Sequence, residues 1–211
     1  DLVISNLYFD TFNLNIYLGK YSTFFTLLCF LLFINSCNMF DGADLQLGIY
    51  SFQIFFFFFI NDIYLIFSLL LLIFVFFFIL LNRNSRIFFG DSGSLLVSFV
   101  ISYFVISQYN LNLGNLSCEL IFIIMLLPGL DMLRLFIVRI YNKKNPFLPD
   151  RKHIHHLLNQ KFSKFKSTLI IQILIFSGFF MSYFFELFLV IIYLSIFYIM
   201  LLVYLNKLIH K

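Results

Sequence analysis

The feature that most constrains this chain is its succession of long apolar runs separated by short polar breaks. Crossing the hydrocarbon core of a bilayer takes about 20 apolar residues in a helix. On that measure seven candidate spans stand out, over roughly 21–37, 46–60, 63–81, 93–107, 118–138, 167–184 and 187–206, with the second and fourth short. Inside lipid the backbone must satisfy its own hydrogen bonds, which makes each such run a helix. The expected fold class is therefore all-α, a polytopic transmembrane helical bundle with about seven spans. Charged residues make up 11% of the chain and hydrophobic ones 62%, whereas soluble domains carry about 25% charged residues, so a soluble globular chain is excluded. Phe, Leu and Ile are interchangeable as lipid-facing side chains, and the 34 Phe carry no functional reading. Cys29, Cys37 and Cys118 lie in or beside apolar segments without Cys-x-x-Cys spacing. They read as small buried hydrophobes rather than a disulfide framework or a zinc knuckle.

The charges sort the breaks into two kinds. Those near Asn61-Asp62, from Gln108 to Ser117 and near Glu186 hold no Lys or Arg. The segments Asn35 to Leu45, Asn82 to Ser92 and Arg139 to Lys166, with the tail Lys207 to Lys211, together hold nearly all of them. Lys20 alone falls on the other side, and Arg134 lies within a span near its basic end. The positive-inside rule then makes the basic loops and the C-terminus cytoplasmic. On this reading residues 1–20 are an external loop and 21–138 carry spans whose cytoplasmic loops hold the acidic clusters. Residues 139–166 are a cytoplasmic basic histidine loop, and 167–211 are two further spans and a cytoplasmic tail. Because the basic residues follow topology, nucleic acid is not an expected partner. The chain opens on Asp1, with no signal peptide before its first apolar run, and is expected to be a fragment lacking its beginning.

Three polar clusters fall on that one face. Asp91 stands between Gly90 and Ser92-Gly93-Ser94 at the entrance of a span. It can cap the helix or hold a divalent cation, and its glycines let a phosphate approach backbone donors. Asn38, Asp41 and Asp44 recur at intervals of three, roughly along one helical face until Gly42 breaks the helix. They suit Mg²⁺ or a sugar nucleotide, or form a plain polar turn, and acids at a bilayer edge are costly enough to be functional often. His153, His155 and His156 accompany Asp150, Arg151 and Lys152. Zinc ligation, an anion clamp and a basic loop on anionic lipid all compete there. Neighbouring Arg and Lys disfavour a cation, whereas an anion finds both donors and charge.

In order along the chain, Asn35-Ser-Cys-Asn-Met-Phe-Asp-Gly-Ala-Asp44, Arg86-Ile-Phe-Phe-Gly-Asp-Ser-Gly-Ser94, Pro128-Gly-Leu-Asp131 and Pro146-Phe-Leu-Pro-Asp-Arg-Lys-His-Ile-His-His156 resemble the polyprenyl-phosphate N-acetylhexosamine-1-phosphate transferases. His-Ile-His-His resembles the WecA/TagO-like branch more than the related MraY enzymes, whose loop has three consecutive histidines. The resemblance covers about residues 30 to 160. It implies a Mg²⁺-dependent enzyme, with Mn²⁺ a second admissible ion, in the bacterial inner membrane with its active face cytoplasmic. That enzyme transfers N-acetylhexosamine-1-phosphate, with GlcNAc-1-phosphate the expected group, from a UDP-N-acetylhexosamine to polyprenyl (undecaprenyl) phosphate, releases UMP and initiates cell-envelope polysaccharide. Membrane lipid is a further partner, and a homodimer is an admissible state. By motif position Asp91 is the metal ligand and catalytic together with Asp41, His153, His155 and His156. Asn38, Asp44, Phe88 and Arg151 bind substrate, with Phe88 on uracil and Arg151 and the histidines on the diphosphate.

The chain departs from the family in two ways. Nothing before Asn35 supplies the family's Asp-Asp pair, so this stretch alone is expected to be inactive. The family commonly reads Asp-Gly-x-Asp-Gly in the first cluster, whereas here Asp44 is followed by Leu45-Gln46. The alternatives are an inactive lipid- or nucleotide-binding remnant, a transporter, or an intramembrane serine protease using Ser92 of Gly90-Asp-Ser-Gly93. A transporter places polar groups near the midplane, but here they gather at one edge. The protease needs a base beside Ser92, and no span contains a histidine.

Overall fold

A computed structural model describes residues 2–83, 86–111, 116–145 and 152–209. The apolar runs become α1 (Ser22–Phe40), α2 (Gln46–Ile60), α3 (Leu65–Asn82), α4 (Gly90–Leu111) and α5 (Cys118–Tyr141), followed by a short α6 (Ile154–Asn159), then α7 (Lys164–Met181) and α8 (Leu187–Ile209). Six of these helices are long and apolar enough to cross a membrane. The 15-residue α2 rises only ~22 Å at ~1.5 Å per residue. The chain is thus an all-α polytopic membrane protein in which α2 is the short run, as its sequence length suggested.

The fourth run departs from expectation. Instead of a short span over 93–107, α4 has 22 residues. Its serines interrupt the hydropathy but not the helix, because Ser98 donates to the Ser94 carbonyl at 2.6 Å and Ser102 to that of Ser98 at 2.8 Å. Hydroxyls that bond back to the preceding turn hide their polarity from lipid.

Helix α1 packs on α4 and α5, α2 on α3 and α7, and α5 on α8. Tyr50, Phe55, Phe58, Ile101 and Ile124 lie fully buried between them. Outward faces such as Ile66, Phe67, Phe74 and Phe77 of α3 stay exposed, the disposition of a lipid-facing helix. Short connections alternate the helix directions and create two ends. The C-termini of α1, α3 and α5, the N-termini of α2, α4 and α7, and α6 share the basic end.

Pro128 lies inside α5. Proline has no N–H to return to the carbonyl four residues earlier, which is that of Ile124. The Tyr50 hydroxyl donates to this carbonyl at 2.8 Å, so a side chain of α2 closes the gap in α5.

Residues 1–20, expected as a loop, contain an antiparallel hairpin of β1 (Asn6–Phe9) and β2 (Leu14–Tyr17). Its tip is pinned by Glu119, whose carboxylate accepts from the backbone N–H groups of Asp10 (3.0 Å) and Thr11 (3.1 Å). Tyr109 accepts from the Tyr8 N–H at 2.7 Å and donates to the Asn6 carbonyl at 2.8 Å. These anchors are about 100 residues away in sequence, which is why the segment reads as a loop on its own. The hairpin sits at the end away from the basic clusters.

Candidate active site

The first acidic cluster begins where α1 stops. The Asp41 N–H still donates to the Cys37 carbonyl at 3.1 Å. The chain then turns through Gly42 and Ala43 to Leu45, whose φ of +69° is unusual for a bulky residue. Asn82 stabilises that turn from the end of α3. Its side-chain oxygen accepts from the Leu45 N–H at 2.6 Å and its amide donates to the Ile87 carbonyl at 2.7 Å. A single buried side chain therefore ties the Asp41–Asp44 turn to the segment carrying Phe88 and Asp91. Sequence reasoning missed it, because Asn82 reads as an ordinary loop residue at the end of a span.

A second tie joins the same two segments: the Ser94 hydroxyl of α4 donates to Asn38 Oδ1 of α1. From the third side, Thr168 of α7 donates to the Asp44 carbonyl at 3.3 Å. Asp91 occupies the first turn of α4, just inside it rather than at its cap, and is exposed. Phe88 stands at the rim with 63% of its surface exposed, while neighbouring Phe89 is held against Phe78 with ring centroids 3.8 Å apart.

Asp41 reports how close these acids are. Partial burial, then the negative charges of Asp91 and Asp44, push its carboxyl up from 3.8 to about 7. A carboxylate raised in this way by burial and neighbouring acids would be relieved by a bound cation. Among the described residues no three of His, Cys, Asp and Glu converge tightly enough to enclose a metal ion.

The histidine segment folds onto the acidic turn. Its first histidine precedes α6, and the Asp131 carboxylate of α5 binds both the His153 ring at Nδ1 (2.8 Å) and the Ile154 N–H (3.2 and 3.3 Å). His155 is 1% exposed and neither ring nitrogen has a hydrogen-bond partner. Its ring lies over Gly42, where an added Cβ would be 2.2 Å from Nε2. Burial, then the neighbouring His156 and His153, lower its pKa to about 3, so it is a neutral imidazole rather than a positive clamp. His156 is partly exposed, with its ring centroid 4.1 Å from that of His155. Arg151 lies outside the described residues.

Asn38, Asp41, Asp44, Phe88, Asp91, His153, His155 and His156 thus gather at one end of the bundle. Asp131 and Asn82 hold the parts together without having been marked by the sequence as site residues. Ser92 is exposed on α4, and among the described residues no hydrogen bond joins it to a histidine.

The family model for Glycosyl transferase family 4 matches residues 1–109. Over 88 residues the chain is 34% identical to an undecaprenyl-phosphate alpha-N-acetylglucosaminyl 1-phosphate transferase of Thermotoga maritima, covering 42% of this chain and 28% of that protein. It is 26% identical over 173 residues to the protein of the same name from Escherichia coli O157:H7, covering 74% of this chain and 47% of the relative. For the Yersinia pestis protein of that name the figures are 27% over 152 residues, 67% and 42%. The chain therefore spans less than half the length of these relatives. No solved structure matches it.

Proposed function

Since the chain belongs to glycosyl transferase family 4, we propose that its basic end binds UDP-N-acetylglucosamine and polyprenyl phosphate at the cytoplasmic membrane face and transfers GlcNAc-1-phosphate to the lipid. A lipid phosphate oxygen attacks the β-phosphorus of the donor. The bond from that phosphorus to the bridging oxygen breaks, and UMP leaves with the electron pair. The observation that carries the reading is the meeting of the acidic turn, the Phe88–Ser94 segment and α6 around Asp41, whose carboxyl is pushed up to about 7 by partial burial and then by Asp91 and Asp44.

Phosphoryl transfer is largely a matter of positioning and charge neutralisation. Mg²⁺, when bound, would neutralise diphosphate oxygens. Asp91, exposed in the first turn of α4, is the residue offered to that ion, with Asp41 and Asp44 adding negative field from the opposite side. Exposed Phe88 offers a ring face on which the uracil can stack. His153 and His156 present ring nitrogens to the diphosphate, while His155 packs beneath them as a neutral spacer. The helix start at Gly90 adds backbone N–H groups suited to phosphate.

The test is nucleotide release by the intact protein in membranes supplied with UDP-N-acetylglucosamine and undecaprenyl phosphate. Asp91→Asn is expected to lower Mg²⁺-dependent UMP release at least ~100-fold with membrane insertion unchanged. Wild-type turnover in that variant would overturn the assignment of Asp91.

A further inference from the structure

We propose that Asp131 is the positioning residue of the histidine segment: its carboxylate sets the tautomer and orientation of His153 and anchors the start of α6. The functional consequence rests on the transferase reading above, while the tautomer itself can be tested without it. Asp131 is 2% exposed and belongs to a spanning helix, where an acid is retained only if it is well compensated. Its Oδ1 accepts from Arg134 Nη2 at 2.8 Å, from the Tyr198 hydroxyl at 2.9 Å and from the Ile154 N–H at 3.2 Å. Its Oδ2 faces His153 Nδ1 at 2.8 Å. Arg134 also donates through Nε to the Tyr198 oxygen at 3.0 Å and through Nη2 to the Lys152 carbonyl at 2.6 Å. Residues of α5 and α8 thus grip the two residues just before α6 and its first N–H.

A carboxylate only accepts, so the His153 nitrogen facing it must carry the hydrogen. The neutral ring is then the Nδ1–H form, and Nε2 is left as the lone-pair nitrogen or the site of a second proton. This is how a second residue fixes which imidazole nitrogen does chemistry.

Asp131→Asn separates this role from mere charge compensation. Arg134 is an obligatory donor and faces Oδ1 alone, at 2.8 Å, whereas the Ile154 N–H lies between the two oxygens at 3.2 and 3.3 Å, so Arg134 keeps the amide oxygen at the Oδ1 position. The amide NH₂ then replaces Oδ2 and donates toward His153 Nδ1, which must become an acceptor. The substitution therefore reverses the ring to the Nε2–H form.

The experiment records ¹⁵N spectra of the histidine-labelled intact protein in detergent at about pH 8, where an ordinary imidazole is neutral, with His153 assigned by its loss in His153→Gln. Wild type is expected to show Nδ1–H, Asp131→Asn the Nε2–H form, and Tyr198→Phe the wild-type form. Asp131→Asn should also lower the kcat of UMP release about tenfold or more with KM for the UDP-sugar little changed, while Tyr198→Phe stays within about threefold of wild type. A wild-type His153 in the Nε2–H form overturns the proposal without any variant. So does retention of Nδ1–H in a folded Asp131→Asn protein, full turnover in that variant, or an equal loss in Tyr198→Phe. If wild type releases no UMP, the transferase reading fails and the spectra alone decide the positioning role.

Discussion

At Gly42 the acidic turn meets the histidine segment with no room for a side chain. A Cβ there would fall 2.2 Å from His155 Nε2 and 2.6 Å from Cε1, and the His155 ring is buried. Gly42→Ala should therefore push α6 off the turn and lower UMP release at least ~10-fold. Wild-type turnover by Gly42→Ala alone would mean that this contact is not part of the working site. Asp41 supplies a second expectation. Its carboxyl is raised from 3.8 to about 7, so between those values the folded state holds a proton that the unfolded chain has released. Stability contributed by this group is full at low pH and is lost as pH rises toward about 7. Thermal unfolding in detergent with a chelator present should thus fall from pH 5 to pH 8, and both Asp41→Asn and Asp91→Asn should flatten the fall. Profiles identical to wild type would show that the carboxylates do not share a field. Single residues were legible where polarity stood out against apolar surroundings, as at Asp41, Asp91 and His153. The burial of His155 was not, since it depends on a glycine more than 100 residues earlier.

Elements were legible to the extent that their hydrogen bonds are local. The helical runs follow from apolar length, and α4 was underestimated only because its serines satisfy themselves on the previous turn. The hairpin of residues 6–17 and the six-residue α6 depend on Glu119, Tyr109 and Asp131 from distant helices, so no local pattern announces them. Pro128 is the clearest case of an element completed from outside. Read alone it breaks α5; in the bundle, the Tyr50 hydroxyl takes over the Ile124 carbonyl. Tyr50→Phe should leave that carbonyl buried and unpaired at a cost of about 1–3 kcal/mol, seen as a lower apparent melting temperature. In a Pro128→Ala background the restored N–H can bond the carbonyl itself, and the same substitution should cost much less. Equal costs in the two backgrounds would remove Tyr50 from the account of the proline.

On the scale of the whole molecule the two ends differ in charge as well as in shape. Arg83, Arg86, Arg139, Lys143, Lys144, Lys152, Lys161, Lys164, Lys166 and Lys207 all lie at the end that carries the candidate site, whereas Lys20 shares the other with Asp10, Asp62, Glu119 and Glu186. Loops rich in Lys and Arg are retained on the cytoplasmic side during insertion, and a soluble nucleotide-sugar donor would have to reach the site from there. Under the proposed reaction, the charge pattern and the chemistry call for the same orientation. Asp62, at the α2–α3 connection, and Lys161, just after α6, are both exposed and mark the two ends. With the native chain as blank, a membrane-impermeant thiol reagent applied to intact cells should label Asp62→Cys directly. It should label Lys161→Cys only after permeabilisation. Labelling of Lys161→Cys from outside would put the acidic turn and the histidines on the wrong side of the membrane for a UDP-sugar, and the proposed reaction would fall with the orientation.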